Sequence, residues 1–275
     1  MDDAEAREVR RVLRLVLEHL FAAQTDMGAL HETTGLVEVV HHPSYSLPDV
    51  NYVTPRRSTA WVAASDIESG IQHLKGYGRA ARFVYMEGLF PPFFAKTIRD
   101  LNRDRESPIL VCSGDPPQPP VVMSSAHVET VEKERGVEWW WRVWRNPLYE
   151  VVKSGAEPLV VTQTPAQQGK LIDLMIFRFG FPIGIARLSV QPEHKTGHIT
   201  ALALMREAGS PELYKFLITS ALYEARARGC TMVFTSNKER RELHRELGFV
   251  DAGSLVSYAA QDARHDSLVQ SVLPI

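Results

Sequence analysis

The sequence predicts an α/β protein with a mixed central sheet flanked by helices. Two almost continuously apolar runs, 199–205 and 230–235, have the composition of strands buried on both faces. The helical periodicity of 211–228 connects them, and a strand, crossover helix and strand of this kind close into a parallel pair. The preceding runs, 171–177 and 183–190, predict an antiparallel meander with the strand at 199–205. The sheet therefore combines parallel and antiparallel strands.

The first part of the chain shows a similar order of elements. Residues 3–24 carry apolar side chains at helical spacing between Arg and Glu, which predicts an amphipathic helix that covers a sheet or the second subunit of a homodimer. The other elements predicted up to residue 112 are strands at 36–41, 50–54, 81–86 and 108–112, and helices at 66–77 and 92–101.

Short segments of the two halves match at similar spacing: 83–85 with 232–234, 101–103 with 247–249, and 109–112 with 255–258. Two copies of one supersecondary unit explain these matches better than chance does, and a generic strand–helix–strand likeness is the alternative. The prolines of 113–120 predict a semi-rigid linker. The predicted boundaries are therefore an N-terminal domain at 1–112, a linker at 113–120 and a second domain at 121–275.

Composition and charge exclude several classes of function. The formal net charge of -2 gives no sign of a nucleic-acid or membrane partner, and the charged N-terminus does not resemble a secretory signal, so a cytoplasmic protein is expected. Cys112 and Cys230 fall in predicted strands as small buried hydrophobes. The histidines His31, His41 and His42 lack a second pair at ligand spacing. They are expected to be solvated or structural, and no metal site is predicted.

The region from Gly229 to Tyr258 contains short motifs in a specific order. Gly229-Cys230 precedes a predicted strand, Ser236-Asn237 follows it, and the helix Leu243-His-Arg-Glu-Leu-Gly-Phe249 leads into two closing strands. This order resembles the second half of the GNAT (Gcn5-related N-acetyltransferase) family. The resemblance covers 121–260 and implies the acyl-CoA N-acyltransferase fold. With the repeat described above, it implies two GNAT-like domains in tandem, the first of them degenerate because no Gly-rich turn precedes its helix at 66–77.

The resemblance also implies an acyl-CoA site where the strand 199–205 ends. GNAT enzymes hold the pyrophosphate on backbone N–H groups of an Arg/Gln-x-x-Gly-x-Gly/Ala loop at a helix N-terminus. Here Ser210 is a helix N-cap, and the run Arg206-Glu-Ala-Gly-Ser-Pro211 matches the first two defined positions of that loop. The residues implied to bind acetyl-CoA are Leu204, Met205, Arg206, Gly209, Ser210 and Asn237.

Three residues of this loop depart from the family pattern. Pro211 removes one donor amide, and Glu207 and Glu212 place negative charge near a site for phosphates. The departure leaves three interpretations: an enzyme with a modified acyl-CoA loop, a GNAT-fold protein with another donor, and a protein that has lost catalysis.

His244 stands where the family pattern has the Tyr that protonates the departing thiolate. A His with a pKa near ~6.5 can donate that proton or take one from an amine, and the alternative is a surface histidine on a charged helix. The family's general base is commonly a Glu near the central strands, and 199–205 contains none. Glu193, His194 and His198, in the preceding turn, are the remaining candidates.

The tryptophans at 139–144 lie on a predicted helix, 137–144. One interpretation is that they pack this helix on the sheet and on the other domain. The other, which the resemblance suggests, is that residues 139–152 line the acceptor pocket.

The expected function is transfer of an acyl group, in the first place acetyl, from acyl-CoA to an amine of a small molecule. The amine attacks directly, so no covalent enzyme intermediate is expected. The alternative is a non-catalytic binding or assembly protein, or a relative that uses a donor other than acyl-CoA. No motif identifies the acceptor.

Overall fold

The computed structural model describes residues 3–57, 59, 61–90, 98, 101–114, 126–131, 160–206, 209–237 and 240–260. Its helices are α1 (Asp3–Asp26), α2 (Ala64–Gly76), α3 (Gln163–Gln167), α4 (Pro211–Ala227) and α5 (Arg241–Glu246). Its strands are β1 (Leu30–Thr34), β2 (Val37–His41), β3 (Tyr52–Pro55), β4 (Arg82–Glu87), β5 (Asn102–Cys112), β6 (Ala126–Val131), β7 (Leu171–Arg178), β8 (Phe181–Gln191), β9 (Thr196–Leu204), β10 (Met232–Thr235) and β11 (Val250–Ala259).

Some predicted features fall outside the described residues. These are the helix at 137–144 with its tryptophans, linker residues 115–120, and the helix at 92–101 apart from Ile98 and Leu101.

The first of two compact units contains the described residues up to Ile109 and those from Ala252 onward. Its strand order is β1-β2-β3-β4-β11-β5, and β3 and β4 form a parallel pair connected through α2. Helix α2 packs closely on the sheet at Gly70. A Cβ at this position would lie 2.7 Å from a methyl group of Val37 and 2.8 Å from one of Val53. The glycine therefore sets the distance between α2 and the sheet.

The second unit contains the described residues from Leu110 to Asp251. Its strand order is β5-β10-β9-β8-β7-β6, in which β9 and β10 are parallel and β6 to β9 form an antiparallel meander. Helix α4 connects β9 to β10 and buries an apolar stripe against the sheet: Leu213, Leu217, Ala221, Leu222 and Ala225. The mixed α/β fold predicted from the sequence is confirmed.

Strand β5 belongs to the second unit from Leu110 onward, and strand β11 belongs to the first unit from Ala252 onward. Residues 110–112 of β5 pair antiparallel with β10, and residues 254–259 of β11 pair antiparallel with β4. The sequence predicted two closing strands after the helix at 243–247, whereas the described chain has one, β11. Strand β5 lies beside β10, where the second closing strand was expected. The sequence could not predict this pairing, because strands so distant in sequence leave no local pattern.

Two of the histidines considered as metal ligands, His41 and His42, have structural contacts in the first unit. His41 Nε2 lies 2.9 Å from Glu32 Oε1, and the His41 ring stacks on Tyr77 at 3.9 Å. His42 Nδ1 accepts hydrogen bonds from the backbone N–H groups of Ser44 and Tyr45. Within the described part of the chain, no cluster of His, Cys, Asp or Glu has the arrangement of a metal site.

The cysteines Cys112 and Cys230 are buried free thiols, as predicted. Burial raises the pKa of both, that of Cys230 to about 11. None of the described helices has the length and apolar composition needed to span a membrane.

Candidate functional site

An opening lies between β9 and β10 beyond the point where their pairing ends. Their parallel pairing runs from Thr196 opposite Met232 to Ile199 opposite Thr235. Strand β9 then continues to Leu204, and residues 201–204 pair with β8 alone among the described strands. Ligands of open α/β sheets bind beyond the carboxyl ends of parallel strands. This opening is therefore the candidate site in the second unit.

Strand β9 bends into this opening at a β-bulge. Ile199 pairs with Leu188 and Ala201 with Arg187, so Thr200 is the extra residue. The Thr200 hydroxyl donates a hydrogen bond of 3.3 Å to the Arg187 carbonyl. A bulge re-aims the strand that follows it, here residues 201–204. The bulge could not be predicted from the sequence, because no Gly or Pro stands there.

The predicted cofactor residues lie along the chain that leaves β9. Leu204 is fully buried, and the Met205 amide donates to the Ile183 carbonyl at 2.8 Å. Arg206 and Gly209 are exposed. Glu207 lies outside the described residues. Of this set, the exposed loop residues are the ones accessible to a ligand.

The first turn of α4 has few free amides. The Ser210 side chain accepts from Leu213 N at 3.2 Å, which confirms the predicted N-cap, and Tyr214 N donates to the Ser210 carbonyl. Pro211 has no N–H group. Within this turn, the Glu212 amide is therefore the donor left for an anion. The carboxylate of the same residue opposes that anion.

A guanidinium lies close to this turn. The Cζ atom of Arg240 is 3.5 Å from the centroid of the Tyr214 ring, and Tyr214 is buried in the first turn of α4. This cation–π contact holds the positive charge of Arg240 on the face of the Tyr214 ring. No sequence pattern indicates this contact, because Arg240 directly precedes α5 whereas Tyr214 lies in α4.

Asn237 follows the end of β10 and is held by its backbone. Its amide donates to Thr235 Oγ1 at 3.3 Å, while the Thr235 hydroxyl donates to the Ile199 carbonyl at 3.1 Å. These bonds connect the end of β10 to the last paired residue of β9. Asn237 therefore lies just beyond the point where the pairing of β9 with β10 ends.

His244 is completely buried in α5, so the surface alternative is wrong. Its Nδ1 lies 2.8 Å from the Arg240 carbonyl, and a carbonyl only accepts, so Nδ1 carries the hydrogen. In the neutral ring Nε2 is then an acceptor, and it has no hydrogen-bond partner among the described residues. Burial lowers the pKa of His244. The geometry therefore favours accepting a proton over donating one.

Two of the other candidate bases are separated from this opening. Glu193 and His194 lie in a short 3-10 turn, Pro192–His194, at the opposite end of β9. His198 was predicted in a turn but lies within β9, where its ring stacks on Phe234 at 4.2 Å. Strand β9 thus begins three residues earlier than the predicted strand at 199–205.

Replacing His198 with Phe is expected to make the protein less sensitive to acid. Burial lowers the pKa of His198 to about 3, so below pH ~6.5 the unfolded state binds a proton that the folded state does not. The contribution of neutral His198 to the free energy of unfolding is fully present above that pH and declines as the pH falls toward 3. The loss from this group between pH 7 and pH 5 is about 2 kcal/mol. Urea unfolding at both pH values measures it, with exposed His127→Phe as the control. An equal loss in His198→Phe would contradict the assignment.

No protein-family model matches the chain, and no curated protein matches it. Among solved structures, a GCN5-related N-acetyltransferase from Kribbella flavida superimposes with a TM-score of 0.71 at 12% identity, over 92% of this chain and 95% of that one. A GCN5-related N-acetyltransferase from Sphaerobacter thermophilus gives 0.55 at 14%, over 86% and 81%. A tandem GNAT protein from the clavulanic acid biosynthesis pathway gives 0.50 at 16%, over 72% and 67%.

At these identities the likeness is one of fold. The parallel pair β9 and β10, the crossover helix α4 and the antiparallel meander before it are the elements that the sequence predicted from its own patterns. The described chain has the mixed α/β fold of the GCN5-related N-acetyltransferases.

Proposed function

We propose that this protein is an N-acyltransferase that moves an acyl group, in the first place acetyl, from acyl-CoA to an amine of a small molecule. The observation that carries the proposal is the opening between β9 and β10, with the capped N-terminus of α4 directly after it. Such an arrangement offers backbone groups to an extended thioester and a positive helix end to its phosphates.

The proposed reaction needs few groups from the protein. The amine nitrogen attacks the thioester carbonyl, the new C–N bond forms, and the C–S bond breaks to release CoA as a thiolate. The nitrogen loses a proton and the thiolate gains one. In this scheme the CoA part of the donor is held by the side chains or amides of Arg206, Gly209, Ser210 and Asn237. The backbone at Leu204 and Met205 also contributes to binding. His244 is the proton-transfer residue, through Nε2.

We also propose that the chain consists of two GNAT-like halves, with the domains at 1–112 and 121–275 joined by 113–120. The support is a repeated pairing pattern. In each half a parallel pair connected by a helix, β3 with β4 and β9 with β10, has an antiparallel strand beside its second member. In each half that antiparallel strand comes from the other half of the sequence.

A second candidate is a binding or assembly protein without catalysis, or a protein with a donor other than acyl-CoA. It is favoured by the first turn of α4, where Ser210 occupies one amide, Pro211 lacks one and Glu212 carries a negative charge. Losing one charge-assisted hydrogen bond costs about 1.5–3 kcal/mol, a weakening of roughly ten- to hundredfold. Binding at such an affinity is still measurable.

Calorimetric titration with acetyl-CoA separates these candidates. The wild type is expected to bind weakly, and Glu212→Gly to bind about two- to fivefold more tightly, because a charge of the wrong sign leaves the helix N-terminus. Glu212→Gln removes the charge while keeping the side-chain length. Glu193→Gln, at the other end of β9, is the matched control and should bind as the wild type does. An absence of heat in all four proteins up to millimolar ligand would exclude the acyl-CoA site and leave the second candidate.

A further inference from the structure

A cavity of about 380 Å³ lies in the first unit, at the carboxyl ends of β3 and β4. Arg56 and Arg57 directly follow β3, Phe90 follows β4, and Arg14 reaches the cavity from α1. We call it the arginine pocket. Its size is that of a small-molecule site, and its position at the ends of a parallel pair is one where open sheets bind ligands.

The positive charge of the arginine pocket is largely uncompensated. Its lining contains no Asp or Glu, and within the described part of the chain neither Arg14 nor Arg56 has an ion pair or a side-chain hydrogen bond. Arg57 forms a long ion pair, in which its Nε lies 4.0 Å from Glu38 Oε1, so Glu38 balances one of the three charges in part. Its guanidinium lies over the Phe21 ring at 4.8 Å. Three like charges facing one cavity repel one another unless an anion lies between them.

The rest of the lining is apolar or carries hydroxyl groups. Met86, Leu89 and Phe90 provide an apolar wall, while Thr54 and Thr59 provide hydroxyls. An anion with an apolar body matches both parts. A carboxylate balances one guanidinium, whereas a phosphate monoester carries nearly two charges and three acceptor oxygens. The charge count of the arginine pocket therefore fits the phosphate better.

We propose that the arginine pocket binds an organic phosphate monoester with an apolar or aromatic body. Recognition uses side chains here and not a helix N-terminus, because the lining contains no residue of α2, which begins at Ala64. The planar guanidinium of Arg56 donates paired hydrogen bonds to the phosphate oxygens, and Arg14 and Arg57 balance the remaining charge. The site is independent of the proposed acyl transfer.

Phenyl phosphate is the probe, titrated calorimetrically into the full chain at low ionic strength. The wild type is expected to bind it, and Arg56→Gln to bind it about ten- to hundredfold more weakly. Arg56→Lys keeps the charge but loses the planar guanidinium, so its affinity for phenyl phosphate should lie between those of the wild type and Arg56→Gln. Arg7→Gln removes the same charge two turns away on α1, outside the lining, and should bind as the wild type does.

Four outcomes would overturn the proposal. Equal affinity for benzoate would show a carboxylate site, and equal affinity for inorganic phosphate would show that the apolar wall is not used. Unchanged binding in Arg56→Gln and in Arg14→Gln would place the phosphate elsewhere. Acetyl-CoA binding should be the same in Arg56→Gln as in the wild type. A parallel loss of both ligands would make the arginine pocket part of the acyl-CoA site and contradict an independent one.

Discussion

Replacing Asp173 with Leu is expected to destabilise the protein by about 3–5 kcal/mol, because it leaves a buried guanidinium without its counter-charge. Asp173 and Arg187 are direct neighbours on β7 and β8, and both are buried. Arg187 Nε lies 2.7 Å from Asp173 Oδ1 and Nη2 lies 2.8 Å from Oδ2, while Nη1 bonds to Thr162 Oγ1 at 3.2 Å. Removing the carboxylate breaks both bonds of the bidentate pair.

The double variant Asp173→Leu with Arg187→Met is the control. It removes both charges and fills similar volume with apolar atoms, so it should be more stable than Asp173→Leu alone. Urea unfolding of the wild type, Asp173→Leu, Arg187→Met and the double variant gives the coupling free energy. Hydrogen exchange of β7 and β8 shows where stability is lost. Additive losses in the two single variants would mean that the two charges do not stabilise each other.

Local signals predicted most of the described elements. Ser210 and Pro211 place the start of α4, and Gly229, with a φ of 83°, follows its last turn. Capping and helix termination depend on a few adjacent residues, so the sequence carries them directly. The short β1 and α3 were missed, because neither Leu30–Thr34 nor Gln163–Gln167 shows an apolar period of its own.

Features that depend on distant partners could not be predicted in the same way. Asp173 and Arg187 are polar residues within apolar runs of the sequence. Their burial could not be predicted, because it follows from the pairing of β7 with β8. The pairing of β5 with β10 and of β11 with β4 is a choice of partner, which strand composition does not encode. Thr200 gives no sequence signal for its bulge, since any residue can occupy such a position.

The candidate site was predicted in part. The pattern around Arg206 and Ser210 located the loop and the helix start beyond the opening of β9 and β10. Their role toward acetyl-CoA stays a prediction. The pattern around His244 indicated a proton-transfer residue without indicating its burial or tautomer. Both follow from the packing of α5, where the His244 ring meets Phe249 edge to face at 5.2 Å.

Replacing His244 with Phe is expected to lower the turnover rate of acetyl transfer about 10²-fold, the usual effect of losing a positioned proton-transfer group. Phenylalanine is also apolar and of similar shape, so it should keep the packing against Phe249 while removing Nε2. The dissociation constant of acetyl-CoA should change little, which separates a loss of chemistry from a loss of binding. His194→Phe, in the turn at the other end of β9, is the matched control and should retain the wild-type rate.

The pH dependence of turnover then distinguishes a base from an acid at this position. Burial lowers the pKa of His244 below its usual ~6.5, so the ring is neutral at pH 7 and Nε2 is free to accept a proton. If His244 is a base, the wild-type rate stays level near neutral pH and falls as the pH drops through the lowered pKa. An acid would show the reverse, with the rate rising toward low pH. Either profile should disappear in His244→Phe, and a variant that keeps the wild-type profile would exclude His244 from proton transfer.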